Sequence, residues 1–85
     1  MARYSLLIKP SALKELAGVP PRDRKRIITR IELLAADPRP HGCEKLSGLE
    51  QYRMRQGDSR IVYGVDDGER TIVIVKVGHR RDVYR

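Results

Sequence analysis

The spacing of apolar residues along the chain changes character once, near its middle. Residues 4–8 (YSLLI) are a short apolar run closed by Lys9-Pro10. They read as a first strand, because proline cannot donate to a sheet ladder and marks its end. Ser11 is placed to cap a short helix over 12–17, with Leu13, Leu16 and Ala17 on one face and Gly18 at its end. Pro20-Pro21 opens a longer helix that runs to about Asp37, where Pro38 and Pro40 stop it. In it Ile27, Ile31 and Leu34 recur at amphipathic spacing, with Ile28 and Ala35 beside them. Arg22, Arg24, Lys25, Arg26 and Arg30 lie opposite.

Past residue 50 the period drops to two. Residues 51–56 (QYRMRQ) set Tyr52 and Met54 against Arg53 and Arg55, a half-buried strand with two cations on one face. Gly57-Asp58 is a turn, 60–65 (RIVYGV) the next strand, and Asp66-Asp67-Gly68 a hairpin turn. Residues 71–77 (TIVIVKV) are apolar on both faces, which predicts a place at the sheet centre. Gly78 leads into a basic stretch, HRRDVYR. The predicted order is β-α-α-β-β-β. This is a two-layer α+β fold, with a helical hairpin packed on one face of a small, mainly antiparallel sheet and the other face left available.

Composition narrows the partners. Eighty-five residues suit one domain over 1–85, and no repeat or linker divides them. Hydrophobic residues are 40% of the chain, enough for a core. The balance of 18 Lys+Arg over 11 Asp+Glu gives +7, which predicts a polyanionic partner: nucleic acid, an acidic protein or an anionic membrane face. No apolar run approaches the ~20 residues of a spanning helix, and the N-terminus lacks a signal-peptide layout. A single cysteine excludes an internal disulfide and fits a reducing cytoplasm.

The segments KLSGLEQYRMRQGDSRIVYGV and VIVKVGHRRDVY, in this order after a strand and a helical hairpin, resemble the RelE/ParE superfamily of type II toxin–antitoxin toxins. The likeness covers nearly the whole chain. The GHR…VY ending is more similar to the RelE-type messenger-RNA endonucleases than to the ParE-type gyrase poisons. The resemblance implies cleavage of mRNA in the ribosomal A site and inhibition of translation. It also implies neutralisation by a cognate antitoxin in a hetero-oligomer, in the cytoplasm and without a cofactor.

Such cleavage needs help in removing the 2′-OH proton, cations at the phosphoryl oxygens and a donor for the leaving 5′-oxygen. Arg53 and Arg55 share a strand face, and Arg60 begins the neighbouring strand across a short turn. In the family pattern Arg53 and Arg55 stand at two basic positions, often lysines. Arg60 and Arg80 match two site arginines, and Tyr84 a C-terminal aromatic placed to stack on a base or polarise an oxygen. Arginine cannot serve as the base. His79 is the natural candidate because its ordinary pKa lies near neutrality; Tyr84 is next, and Glu44 or Glu50 also precedes the site strand. Arg81 is a site cation or a partner for Asp82. The Arg22–Arg30 face reads as solvated helix, RNA contact through Arg22 and Arg26, or antitoxin surface.

Cys43 reads as a packed thiol, His41 as a loop residue, and Tyr52 and Tyr63 as core or cross-strand pairs. No His/Asp/Glu cluster has metal-ligand spacing. The rivals to the nuclease are a gyrase poison of the same fold and a non-catalytic module that binds RNA or an acidic peptide on its open sheet. The antitoxin is expected across the sheet edge and the helical hairpin, since a small chain with an open face finds a partner.

Overall fold

A computed structural model describes residues 3–46 and 50–79, with His79 described by its backbone only. The element order is β1 (Ser5–Ile8), α1 (Pro10–Ala17), α2 (Pro21–Leu34), β2 (Glu44–Lys45), β3 (Gln51–Gln56), β4 (Ser59–Asp66) and β5 (Thr71–His79). The sheet runs β1-β5-β4-β3-β2, with β1 parallel to β5 and the other pairs antiparallel. The two-layer α+β arrangement of a helical hairpin on a mainly antiparallel sheet is therefore present. Among the described residues no helix is long and apolar enough to cross a membrane.

Four details differ from the sequence expectation. The helix cap is Lys9 rather than Ser11: Pro10 takes the first helical position, where its fixed φ fits and its missing N–H is not needed. The second helix ends at Leu34 instead of Asp37. There the amides of Ala35 and Ala36 bond three residues back, to Glu32 and Leu33, tightening the last turn ahead of Pro38. A fifth strand, β2, pairs Glu44 with Arg53 and Lys45 with Tyr52. It is too short to show a period. Finally, the added edge strand β2 makes β4 the middle of five, while β5 is an interior strand paired with β1 and β4.

The core lies between the helices and one sheet face. Ala12, Leu16, Val19, Ile27, Ile31 and Leu34 meet Tyr52, Met54, Ile61, Tyr63, Val65, Ile72, Ile74 and Val77. Each buried aliphatic side chain contributes about 1.5–3 kcal/mol. A bulge reconciles the doubly apolar run of β5 with one core face. Tyr63 pairs with Ile74 and Val62 with Lys76, so Val75 is the extra residue and Val77 returns to the core. Beyond the end of β1, Glu15 of α1 substitutes for a strand partner. Its carboxylate accepts the Val77 amide at 3.0 Å and Lys76 Nζ at 2.9 Å.

Tyr52 and Tyr63 are the cross-strand pair, with ring centroids 5.7 Å apart. Tyr63 Oη donates to the Pro38 carbonyl at 2.8 Å. Burial, followed by the Cys43 contact, pushes its phenol above the ordinary range. Arg39 lies over Tyr52, Nε donating to its Oη at 2.8 Å, and forms a two-pronged pair with Asp67 at 2.8 and 3.2 Å. Tyr4 Oη donates to the same carboxylate at 2.7 Å. These bonds hold the loop between α2 and β2 against the sheet, and so set where Glu44 enters it.

Candidate active site

The strand alternation that sends Tyr52 and Met54 into the core sends Arg53 and Arg55 to the face away from the helices. On β4 the same alternation buries Ile61, Tyr63 and Val65 and turns Arg60 to the outer face. The two-residue turn at Gly57-Asp58 closes the hairpin so that Arg55 and Arg60 are directly paired. Gly57 has a φ of +60°, a backbone region where glycine carries no side-chain penalty. Three cations thus share one patch at the hairpin end of the sheet, on the face away from the helices.

Arg60 sits deepest, at 6% exposure. Burial lowers its pKa from the ordinary guanidinium value, Arg55 and Arg53 lower it further, and Glu44 acts in the opposite direction. Glu44 reaches Arg53 Nη2 at 3.5 Å and supplies the carboxylate of the cluster. Glu50 is committed elsewhere, to Lys45 Nζ at 3.4 Å. β5 brings its own chain alongside, with Gly78 paired to Arg60 and His79 to Ser59. Arg80, Arg81 and Tyr84 lie outside the described residues, as does the side chain of His79.

The expectation that Arg60 joins Arg53 and Arg55 is met by the register. Arg22 and Arg26 belong to the helical layer, on the opposite side of the sheet, and are exposed there. Two of the helix cations are not on a solvated face. Arg24 Nε donates to the Val19 carbonyl at 3.3 Å, and Arg30 is half-buried against Met54 Sδ at 4.0 Å. The contribution of Glu44 depends on β2, and two residues carry no pattern that would reveal it. The Arg39–Asp67–Tyr4 group spans turns distant in sequence, which no local spacing signals.

A convergent cationic patch in this position can neutralise an oxyanion such as a phosphate, and guanidiniums do so with paired donors. The sequence places the fold in a lineage. Residues 6–84 match the family described as the ParE toxin of type II toxin–antitoxin systems, parDE. The chain belongs to the RelE/ParE toxin superfamily. It is 31% identical to RelE1 of Methanocaldococcus jannaschii, over 98% of this chain and 97% of that one. It is 30% identical to the toxin RelG of Mycobacterium tuberculosis, over 96% and 97%. Among solved structures it resembles the archaeal RelE–RelB complex of Pyrococcus horikoshii, with 27% identity, a TM-score of 0.79, and 94% and 97% of the two chains covered.

Proposed function

We propose that this RelE-family toxin is a ribosome-dependent mRNA endonuclease that blocks translation in the cytoplasm. The observation that carries the reading is the joint placement of Arg53, Arg55 and Arg60 on the sheet face away from the helices, beside the strand that leads in sequence to Arg80 and Tyr84. The 2′-oxygen bonds to phosphorus as its proton is removed, and the P–O5′ bond breaks as O5′ takes up a proton from water. The products are a 2′,3′-cyclic phosphate and a 5′-hydroxyl. Arg60, with Arg53, Arg55 and Arg80, stabilises charge developing on the phosphoryl oxygens. Tyr84 stacks on a base or polarises an oxygen, Arg81 adds a contact to RNA, and His79 takes the proton as base. No metal takes part. The ribosome contributes by holding the mRNA in line.

A cognate antitoxin is the natural regulator, forming a hetero-oligomer across the sheet edge and helical hairpin. The similar Pyrococcus horikoshii structure is a RelE–RelB complex, which supports this reading. Co-expression with the neighbouring gene product tests it; recovery of free monomer alone would count against it. The matched ParE family description favours one second reading, a gyrase poison in which the arginine cluster is dispensable.

Primer extension on a reporter mRNA in a reconstituted translation reaction separates the two. Wild type is compared with Arg60→Ala and Arg80→Ala, with and without ribosomes. Cuts at A-site codons that need ribosomes and vanish in both variants are expected. Intact mRNA together with trapped, gyrase-cleaved DNA would replace the nuclease with the gyrase reading.

A further inference from the structure

On the face away from the helices, the end of the sheet opposite the β3–β4 turn carries a hollow of about 290 Å³. Gly64 of β4 lies between its strand partners, Gln51 of β3 and Val73 of β5, and all three line the hollow. Glu50, Asp66 and Thr71 line it too, toward the end of the sheet. The fold itself does not require a glycine at this point. Gly64 holds ordinary strand backbone; among the described residues the glycines with positive φ are Gly42 and Gly57. An added Cβ would meet the Glu50 carbonyl at 3.7 Å and Gln51 Cγ at 3.9 Å, which is normal contact. The bulge of β5 lies at Val75, outside the Gly64–Val73 pairing. Glycine weakens a strand interior, and where neither a turn nor a bulge needs it, it marks the close approach of another group.

We propose that this hollow is a subsite for a guanine base of the bound RNA, a specificity determinant apart from the arginine cluster. The choice of RNA as occupant rests on the nuclease reading. Gly64 and Arg60 are four residues apart on β4 and turn to the same face, a separation of about 13 Å at the rise of a strand. One short single strand therefore lays phosphate on the arginines and a base in the hollow. Gly64 and Val73 offer an apolar floor for the face of the base, and the carboxylates of Glu50 and Asp66 meet its edge. An ionised carboxylate only accepts hydrogen bonds. Guanine sets two N–H donors side by side on its pairing edge, N1–H and the N2 amine, which match the two oxygens of one carboxylate. Adenine and cytosine put an acceptor beside their amine, and uracil has one N–H between two carbonyls. Asp66 Oδ1 accepts the Glu69 amide at 3.0 Å and Glu50 Oε1 faces Lys45 Nζ at 3.4 Å, so each acid keeps acceptor capacity for the base. An apolar floor with an acidic rim also suits an arginine side chain of a peptide, and charge decides between the two. Arg53, Arg55 and Arg60 on the same face repel a cationic peptide. RNA brings its phosphates to those arginines and a neutral base to the carboxylates.

Fluorescence anisotropy of labelled 2′-O-methyl hexauridylate, with one guanosine moved through its positions, tests this without ribosomes or cutting. In one register the guanosine should tighten binding about tenfold over hexauridylate, the discrimination of one bidentate base contact. Inosine in place of guanosine lacks the N2 amine and should lose most of that gain. Gly64→Val fills the hollow with a side chain that suits a strand, and should bring the guanosine-to-uridine ratio to about one. If that variant does not fold, Glu50→Gln/Asp66→Asn carries the test, with the same loss of discrimination expected. A ratio of one for the wild type in every register, or an undiminished ratio in the variants, would overturn the subsite. So would a Gly64→Val chain that keeps the ratio and releases the co-purified antitoxin, since the hollow would then be a protein contact. The nuclease reading fails separately: intact mRNA in primer extension with the guanine preference retained refutes cleavage and leaves the base site standing.

Discussion

Arg39 keeps 38% of its side chain in solvent and is surrounded by matched partners, whereas Arg60, at 6% exposure, has Arg53 and Arg55 as charged neighbours. The bonds of Arg39 to Asp67 and then Tyr52 raise its pKa above the ordinary guanidinium value. Burial and like charge lower that of Arg60. Packing for stability alone would leave a cation crowded by like charge in water. One arginine is spent on holding the α2–β2 loop to the sheet. The other lies where burial and like charge disfavour its charged form, an environment that an approaching anion would ease.

The comparison is sharpest in the Arg60→Ala variant. Removing a preorganised donor of developing negative charge is expected to lower ribosome-dependent cleavage by about 10²–10³-fold. Its thermal midpoint should fall by no more than a few degrees, because the contacts of the buried side chain are lost while repulsion by Arg53 and Arg55 is relieved. A large fall in the midpoint would make Arg60 a structural residue after all. Arg39→Ala should show the opposite profile. A loss of about 1 kcal/mol in urea unfolding is expected, since the pair is surface-exposed and only the bond to Tyr52 is partly buried. Cleavage should stay within a few-fold of wild type.

Tyr63→Phe isolates the other anchor of the same loop. It deletes the bond to the Pro38 carbonyl while keeping the stacked ring, and should cost about 1 kcal/mol. The smallest effect is in pH dependence. Bonds from Arg39 and Tyr4 hold the Asp67 carboxyl below its ordinary value. Its contribution is therefore complete above the unfolded pKa near 4, and is lost as pH falls through the lower folded value. Tyr4 is shifted upward by its bond to Asp67, so its contribution is complete below about pH 10 and is lost above that. Asp67→Asn should flatten the acid side of the stability curve and Tyr4→Phe the alkaline side. Unaltered curves would show that the Arg39 group carries no linkage.

What was legible in the sequence was local. Period-two alternation in QYRMRQ assigned Arg53 and Arg55 to one face and Tyr52 and Met54 to the other. A two-residue turn then leaves little freedom in where Arg60 falls. Apolar spacing in α2 likewise marked Ile27, Ile31 and Leu34 for the core. These features depend on neighbours a few residues apart, which the chain order itself records.

Only the tertiary structure decided features that join distant segments or turn on a single residue. The bulge at Val75 shifts the phase of β5, and a run that is apolar on both faces does not reveal where a phase shift falls. β4 rather than β5 became the middle strand because the two-residue β2 adds an edge beyond β3, and past the end of β1 Glu15 takes over as partner for the Val77 amide. Glu44 reached the arginine patch through a two-residue strand, and Asp67 met Arg39 and Tyr4 across turns far apart in the chain. The charges of these residues are written in the sequence. Their surroundings, which decide whether a cation stands among carboxylates or among other cations, exist only once the sheet has closed.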